Sequence, residues 1–159
     1  MYNFYNHKNT GRPASPDNKF SSKYIDSPNE PLYPFGYGLS YSTFEYGDIS
    51  LNKSELKGNE SLTVTIPVKN TGKTGGQEVV QLYISDPVAS VSRAVKELKG
   101  FQKVAIAPGE TKDVKFNIST EALKFYNSNL EYNWEPGEFE IQIGGNSRDV
   151  KKVKVNWGK

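Results

Sequence analysis

The sequence contains no cysteine and a single histidine, His7, among its 159 residues. Without cysteine there can be no disulfide framework and no thiolate metal site. A zinc site needs several His, Cys or carboxylate ligands, so one histidine does not predict one. We therefore expect no metal and no cofactor.

An excess of charge of one sign and a long apolar run are also lacking. The formal net charge is +2, with Lys and Glu interspersed along the chain. Nucleic-acid binders more often carry a clustered basic patch, and a transmembrane helix needs about 20 consecutive apolar residues. We expect neither nucleic acid nor a membrane as a partner.

The first 31 residues differ in composition from the rest of the chain. They are rich in Asn, Ser, Lys, Asp and Pro and show no sustained periodicity, and the prolines argue against regular structure. The segment nevertheless contains rings and an isoleucine of the kind that pack on a surface: Tyr2, Phe4, Tyr5, Phe20, Tyr24 and Ile25. We interpret residues 1–40 as an irregular extension ending in a hinge, and residues 41–159 as the folded domain.

The hinge is dense in turn formers and rings. Residues 31–41, PLYPFGYGLSY, hold two prolines, two glycines and four aromatic residues. Such a segment can turn tightly while its rings pack on neighbouring surfaces.

From Phe44 onward the chain has the pattern of short strands. Apolar residues alternate with polar ones in five segments, which predicts half-buried strands over residues 61–70, 78–85, 112–118, 138–143 and 150–157. A further strand is predicted over residues 96–104, with a bulge at Gly100. The predicted core residues are Leu62, Val64, Ile66, Val68, Val80, Leu82, Ile84, Val114, Phe116, Ile118, Phe139, Ile141 and Ile143.

These segments predict an all-β fold. Short strands separated by turn residues are typical of an antiparallel sandwich or barrel, and their number fits a seven-stranded immunoglobulin-like sandwich. The disulfide of antibody domains is absent, which favours a fibronectin type III-like relative. The one helical candidate is residues 120–127, about two turns at most.

No catalytic constellation stands out. His7 lies in the irregular extension, where nothing rigid holds it beside a nucleophile. Glu138 and Glu140 share a strand face at a spacing of roughly 7 Å, near that of inverting glycosidases, but they alternate with Phe139 and Ile141 and so face solvent without a cleft. The many aromatic residues also leave open a sugar-stacking platform.

Several motifs together resemble one known module. Residues 32–44, LYPFGYGLSYSTF, are similar to the hinge motif that opens the fibronectin type III-like domain of family 3 glycoside hydrolases, the β-glucosidases. VKNTG (68–72), GQEVVQLY (76–83), RAVKELKGFQKV (93–104), APGET (107–111) and EPGEF (135–139) resemble later parts of the same domain in the same order. Residues 5–13 resemble the end of the α/β-sandwich domain that precedes the module in periplasmic bacterial β-glucosidases.

The resemblance implies a role without catalysis in this chain. The family's nucleophile and acid/base lie on preceding domains that this chain lacks, so the resemblance assigns retaining hydrolysis of terminal β-glucosides to the parent enzyme, in the periplasm or secreted. The chain is then an accessory module that packs against the catalytic domains, its intramolecular partners, through Tyr33, Phe35, Tyr37, Leu39 and Tyr41. In isolation the chain is expected to self-associate through residues 1–41. A carbohydrate-binding module and a cell-surface adhesion domain are the alternatives.

Overall fold

A computed structural model describes Phe20 and residues 31–159. Strands account for nearly all regular structure in this part: β1 (Phe44–Tyr46), β2 (Ser50–Leu51), β3 (Glu55–Lys57), β4 (Leu62–Asn70), β5 (Gly76–Ser85), β6 (Glu97–Ile106), β7 (Thr111–Ile118), β8 (Phe125–Tyr126), β9 (Tyr132–Asn133), β10 (Gly137–Gly144) and β11 (Val150–Gly158). A 3-10 helix, Thr120–Leu123, is the one helix of the described range. It is far too short to cross a bilayer, and no other segment described forms a longer one.

The strands form two main sheets. In the four-stranded sheet β4 is central, with β7 along one edge and the short β1 and β2 along the other. The five-stranded sheet has the order β3-β11-β10-β5-β6, antiparallel except for the β3–β11 pair. Strands β8 and β9 form a separate hairpin. The predicted all-β, fibronectin type III-like sandwich is confirmed, but the predicted count of seven strands is too low. Strands of two or three residues carry too little alternation to be recognised in a sequence.

The two sheets enclose one apolar core. All thirteen predicted core residues are buried, as the alternation requires. Leu56, Ile106, Leu123, Val155 and Trp157 complete the core. The indole Nε1 of the fully buried Trp157 donates to the carbonyl oxygen of Gly58 at 3.1 Å, so its one polar atom is paired.

Two local expectations have different outcomes. A bulge is found in the predicted strand, but at Lys99 rather than at Gly100: Leu82 pairs with Gly100 and Tyr83 with Leu98, which leaves Lys99 as the extra residue. The predicted helix over residues 120–127 is wrong beyond Leu123. Lys124 returns to an extended backbone, Phe125 turns inward and is buried, and hairpin pairing of β8 with β9 replaces the second helical turn.

Candidate interdomain surface

Residues 31–43, which we call the strap, cross the outer face of the five-stranded sheet. The strap is fixed first by a turn in which the Tyr37 amide donates to the Pro34 carbonyl oxygen at 3.0 Å. Gly36 occupies the third position with φ of +80°, the feature that defines a type II turn. Phe35 O accepts from the Ser147 amide at 2.8 Å, and Gly36 O accepts from Gln81 Nε2 at 3.4 Å. Pro34 is buried, so this turn is attached to the sheet.

The strap is fixed a second time where it enters β1. Tyr41 O accepts from Thr74 Oγ1 at 2.9 Å, and Thr43 O accepts from the Thr71 amide at 2.8 Å. Ser42 Oγ donates to Asn70 Oδ1 at 2.5 Å. Asn70 is itself fully buried and its Nδ2 donates to Ile106 O at 3.0 Å. A buried, satisfied amide therefore holds the strap to both β4 and the end of β6.

The strap holds its apolar side chains out to solvent. The exposed fractions are 66% for Tyr33, 44% for Phe35, 45% for Tyr37, 92% for Leu39 and 102% for Tyr41. The Tyr33 and Tyr37 rings lie 5.2 Å apart and flank the turn. An exposed apolar surface commonly marks a partner site. All five residues predicted for interdomain contact are thus exposed on one short segment, and the contact itself stays a prediction.

Part of the outer face of the five-stranded sheet, including the residue that the strap turn contacts, is polar but buried. Gln81, Tyr83 and Gln142 alternate with core residues and so point away from the core, yet each is less than 5% exposed. The Tyr83 hydroxyl donates to Gln81 Oε1 at 2.5 Å, and Gln81 Nε2 donates to Gly145 O at 2.6 Å. The sequence indicated that Gln81 and Tyr83 face outward, but it did not reveal that this face is covered.

A lysine completes this buried polar region. Lys96 Nζ donates to Ser147 O at 2.8 Å and lies 5.8 Å from the centre of the Tyr83 ring. Burial lowers the pKa of Lys96, the nearby charge of Lys152 lowers it further, and Glu140 opposes both. Lys96 therefore ties the loop after β10 to the outer face of β5.

Phe101 extends the exposed surface beyond the strap and was not among the predicted contact residues. It is 67% exposed and pairs directly with Gln81 across β5 and β6, so it lies beside the strap turn. The sequence signal that could have identified it is a large ring in a predicted strand segment, flanked by Gly100 and Gln102 and outside the predicted core.

The motif around Arg93 serves to fix a loop. The Arg93 guanidinium pairs with Asp86 at 3.4 Å and with Glu97 at 2.8 Å, and it stacks on the Phe125 ring at 4.1 Å. Burial raises the pKa of Glu97, but its pairs with Lys99 and Arg93 outweigh burial and hold the pKa below its usual value. This cluster joins the loop between β5 and β6 to the β8–β9 hairpin.

The β8–β9 hairpin presents a second group of exposed apolar side chains. Tyr126 and Tyr132 have ring centres 5.0 Å apart at an angle of 45°, and Leu130 is 82% exposed with φ of +61°. Asn127 fixes the turn, since its Oδ1 accepts from the amides of Asn129 and Glu131. The two tyrosine rings are tilted, which is a poor platform for the flat face of a sugar.

The remaining sequence candidates are not brought together into a catalytic site. Glu138 pairs with Lys154 at 2.8 Å and Glu140 with Lys152 at 3.1 Å, so each carboxylate faces a lysine of β11. His7 lies outside the described residues. Within the residues described, no group of three His, Cys, Asp or Glu side chains is placed to hold a metal ion.

The two-sheet sandwich is the fold of a known class of domain. Residues 78–147 match the family model of the fibronectin type III-like domain. The chain therefore contains a fibronectin type III-like domain, and the resemblance to the module of family 3 β-glucosidases is confirmed by its relatives.

Those relatives are glycosidases several times longer than this chain. A periplasmic β-glucosidase of Salmonella typhimurium is 49% identical over 151 residues, which are 94% of this chain and 20% of the relative. A putative β-xylosidase of Formosa agariphila is 47% identical over 134 residues, 84% of this chain and 18% of the relative. The crystal structure of the Listeria innocua β-glucosidase with isofagomine superposes with a TM-score of 0.91 at 49% identity, covering 98% of this chain and 22% of that one. The chain thus spans about a fifth of the length of these proteins.

Proposed function

We propose that this chain is the non-catalytic accessory module of a family 3 β-glucosidase, and that its strap surface packs against the catalytic domains. One observation carries the proposal. The strap is fixed to the sandwich at both ends, yet it presents Tyr33, Phe35, Tyr37, Leu39 and Tyr41 to solvent.

The location of the strap supports the same partner. The strap lies between β1 and residues 1–30, of which residues 5–13 resemble the end of the domain that precedes this module in β-glucosidases. In each relative the matching segment lies within a longer glycosidase. Inter-domain interfaces resemble transient protein interfaces, and aromatic rings are enriched in the core of such interfaces.

Two further properties belong to this proposal. Isolated from its partner, the chain self-associates through the strap, because an uncovered apolar surface favours contact with a second copy. The parent enzyme is periplasmic or secreted and hydrolyses terminal β-glucosides with retention. The name of the Salmonella relative supports the compartment, and the names of the β-glucosidase relatives support the substrate.

Sugar binding is the second candidate, because the β8–β9 hairpin exposes a second pair of rings, Tyr126 and Tyr132. The 45° angle between the rings counts against it. Affinity electrophoresis in β-glucan gels separates the two functions: retardation that disappears in the Tyr126→Ala, Tyr132→Ala variant favours sugar binding.

A chimera tests the proposed packing. The segment of the Listeria innocua β-glucosidase that corresponds to this chain is replaced by this chain, and the chimera is compared with one carrying Tyr33→Ser, Tyr37→Ser and Leu39→Ser. We expect the first chimera to hydrolyse an aryl β-glucoside and the second to melt at a lower temperature. This chain alone should show no turnover above the buffer blank.

A matched control shows whether the effect belongs to the interface. The same three serine substitutions in the isolated chain should leave its melting temperature nearly unchanged, since the three side chains are exposed. If both chimeras melt alike, the strap does not pack on the catalytic domains and the proposal fails.

A further inference from the structure

We infer that Gln81, oriented by Tyr83, is a positioning residue that sets where the strap presents its rings. The effect of Gln81 on interdomain packing rests on the proposed function. Its effect on the position of the strap rests only on contacts within this chain. Gln81 is the point at which β5, the strap turn and the loop after β10 meet.

The hydrogen bonds of the Gln81 amide determine its orientation. Its Nε2 donates to two carbonyl oxygens, Gly145 O at 2.6 Å and Gly36 O at 3.4 Å, and its Oε1 accepts from the Tyr83 hydroxyl at 2.5 Å. A flipped amide would place its oxygen against two carbonyl oxygens, which cannot donate. The side chain is 4% exposed, so water cannot readily replace these partners, and burying them unpaired is unfavourable.

The strap turn fits this amide closely. A Cβ atom at Gly36 would lie 2.2 Å from Gln81 Oε1 and 2.6 Å from Gln81 Cδ, and φ of +80° is also strained for any L side chain. The backbone of the turn therefore rests directly on the amide. Tyr33 and Tyr37, which flank this turn, take their position from that contact.

A second connection reinforces the first. The loop that receives the Gln81 amide at Gly145 also donates the Ser147 amide to Phe35 O at 2.8 Å. Lys96 Nζ holds Ser147 O at 2.8 Å. Loss of the Gln81 amide would thus free the turn at Gly36 and also weaken the loop that holds Phe35.

Hydrogen exchange on the full chain tests the inference. In Gln81→Leu we expect the amides of Tyr37 and Ser147 to exchange faster by about tenfold, because their bonds depend on the anchored turn, while β4 amides keep their rates. Gln77→Leu is the matched control, since Gln77 lies on the same face of β5 and is exposed. Tyr83→Phe, which removes only the hydroxyl, should shift the same two amides by a smaller factor.

The outcomes separate this inference from the proposed function. Unchanged rates at Tyr37 and Ser147 in both Gln81→Leu and Tyr83→Phe would overturn the positioning role, whatever the strap packs on. Should Gln81→Leu not fold, Tyr83→Phe alone decides. Faster exchange in the isolated chain, with a Gln81→Leu chimera that melts like the unmodified chimera, would support the positioning role and contradict the interdomain packing.

Discussion

The two sheets of the sandwich differ in how far their outward polar residues are buried. On the four-stranded sheet, the outward residues Thr63, Thr65, Lys115 and Asn117 are partly or fully exposed, and Thr63 and Asn117 share a hydrogen bond at 3.0 Å. On the five-stranded sheet, the outward Gln81, Tyr83 and Gln142 are buried. Both faces are polar in sequence, but of these two sets of outward residues only that of the five-stranded sheet is covered.

The difference shows which side of the module is built to be covered. A buried polar side chain is unfavourable unless hydrogen bonds satisfy it, and Gln81 and Tyr83 have such partners. Gln142 Oε1 lacks one, alone among the buried side-chain polar atoms of the part described. A solvated face needs no such arrangement. The five-stranded sheet is therefore the side on which the strap surface is assembled.

The largest expected loss of stability is for substitutions in the core, which give a reference for substitutions on the two outer faces. Phe116→Ala should lower the free energy of unfolding by roughly 3–5 kcal/mol and Ile66→Ala by roughly 2–5 kcal/mol, since both side chains are buried between the sheets. Thr65→Ala and Lys115→Ala, their outward neighbours, should change it by less than about 0.5 kcal/mol. Urea unfolding measures all four. Equal effects in the two sets would mean that the register is misassigned.

The next prediction compares the two outer faces directly. Tyr83→Ala should destabilise the chain by about 3 kcal/mol, because it removes a buried ring and leaves Gln81 Oε1 unpaired. Asn117→Ala, at an outward position of the four-stranded sheet, should have an effect several times smaller. If the urea midpoint shifts equally for the two variants, the outward residues of the two faces contribute equally to stability and the distinction fails.

A smaller effect is expected for the strap turn. Gly36→Ala combines a clash with Gln81 and a positive φ and should destabilise the chain by about 1–3 kcal/mol. Gly58→Ala is the control, since φ is +54° there but an added Cβ would meet open space. Thermal melting should show the larger loss for Gly36→Ala. A larger loss for Gly58→Ala would argue against a close fit of the turn on Gln81.

The smallest expected effect concerns a polar pair at the edge of the core. The Tyr46 hydroxyl donates to Glu78 Oε1 at 2.6 Å between the two sheets, and burial raises the pKa of Glu78 although this bond opposes the shift. An acid with a raised pKa in the folded state favours folding when protonated, so its contribution declines as the pH rises from about 4.5 through the raised pKa.

Melting at pH 4 and pH 8 checks this sign. The melting temperature of Glu78→Gln, taken relative to that of the unchanged chain, should be higher at pH 8 than at pH 4. Glu45→Gln, at an exposed neighbouring position of β1, should show no such trend. A relative loss at pH 8 for Glu78→Gln would contradict the assigned cause.

The sequence predicted the inner half of this molecule better than the outer half. Alternation identified thirteen of the eighteen buried residues of the core, because a residue between the sheets must be apolar. It could not reveal that Gln81 and Tyr83 are buried, since Gln81 is covered by the strap turn at Gly36, in a segment without periodicity, and Tyr83 is bonded to Gln81. The hinge motif located the five ring-bearing and apolar strap residues, whereas Phe101 required the pairing with Gln81 to be recognised as their neighbour.

The most direct test of the central claim is hydroxyl-radical footprinting of side chains in the isolated chain and in the Listeria chimera. Tyr33, Tyr37 and Phe101 should lose most of their reactivity in the chimera, because the catalytic domains cover them, while Lys115 on the four-stranded sheet keeps its reactivity. Undiminished reactivity of the strap rings, with protection confined to Tyr126 and Tyr132 of the β8–β9 hairpin, would contradict the account.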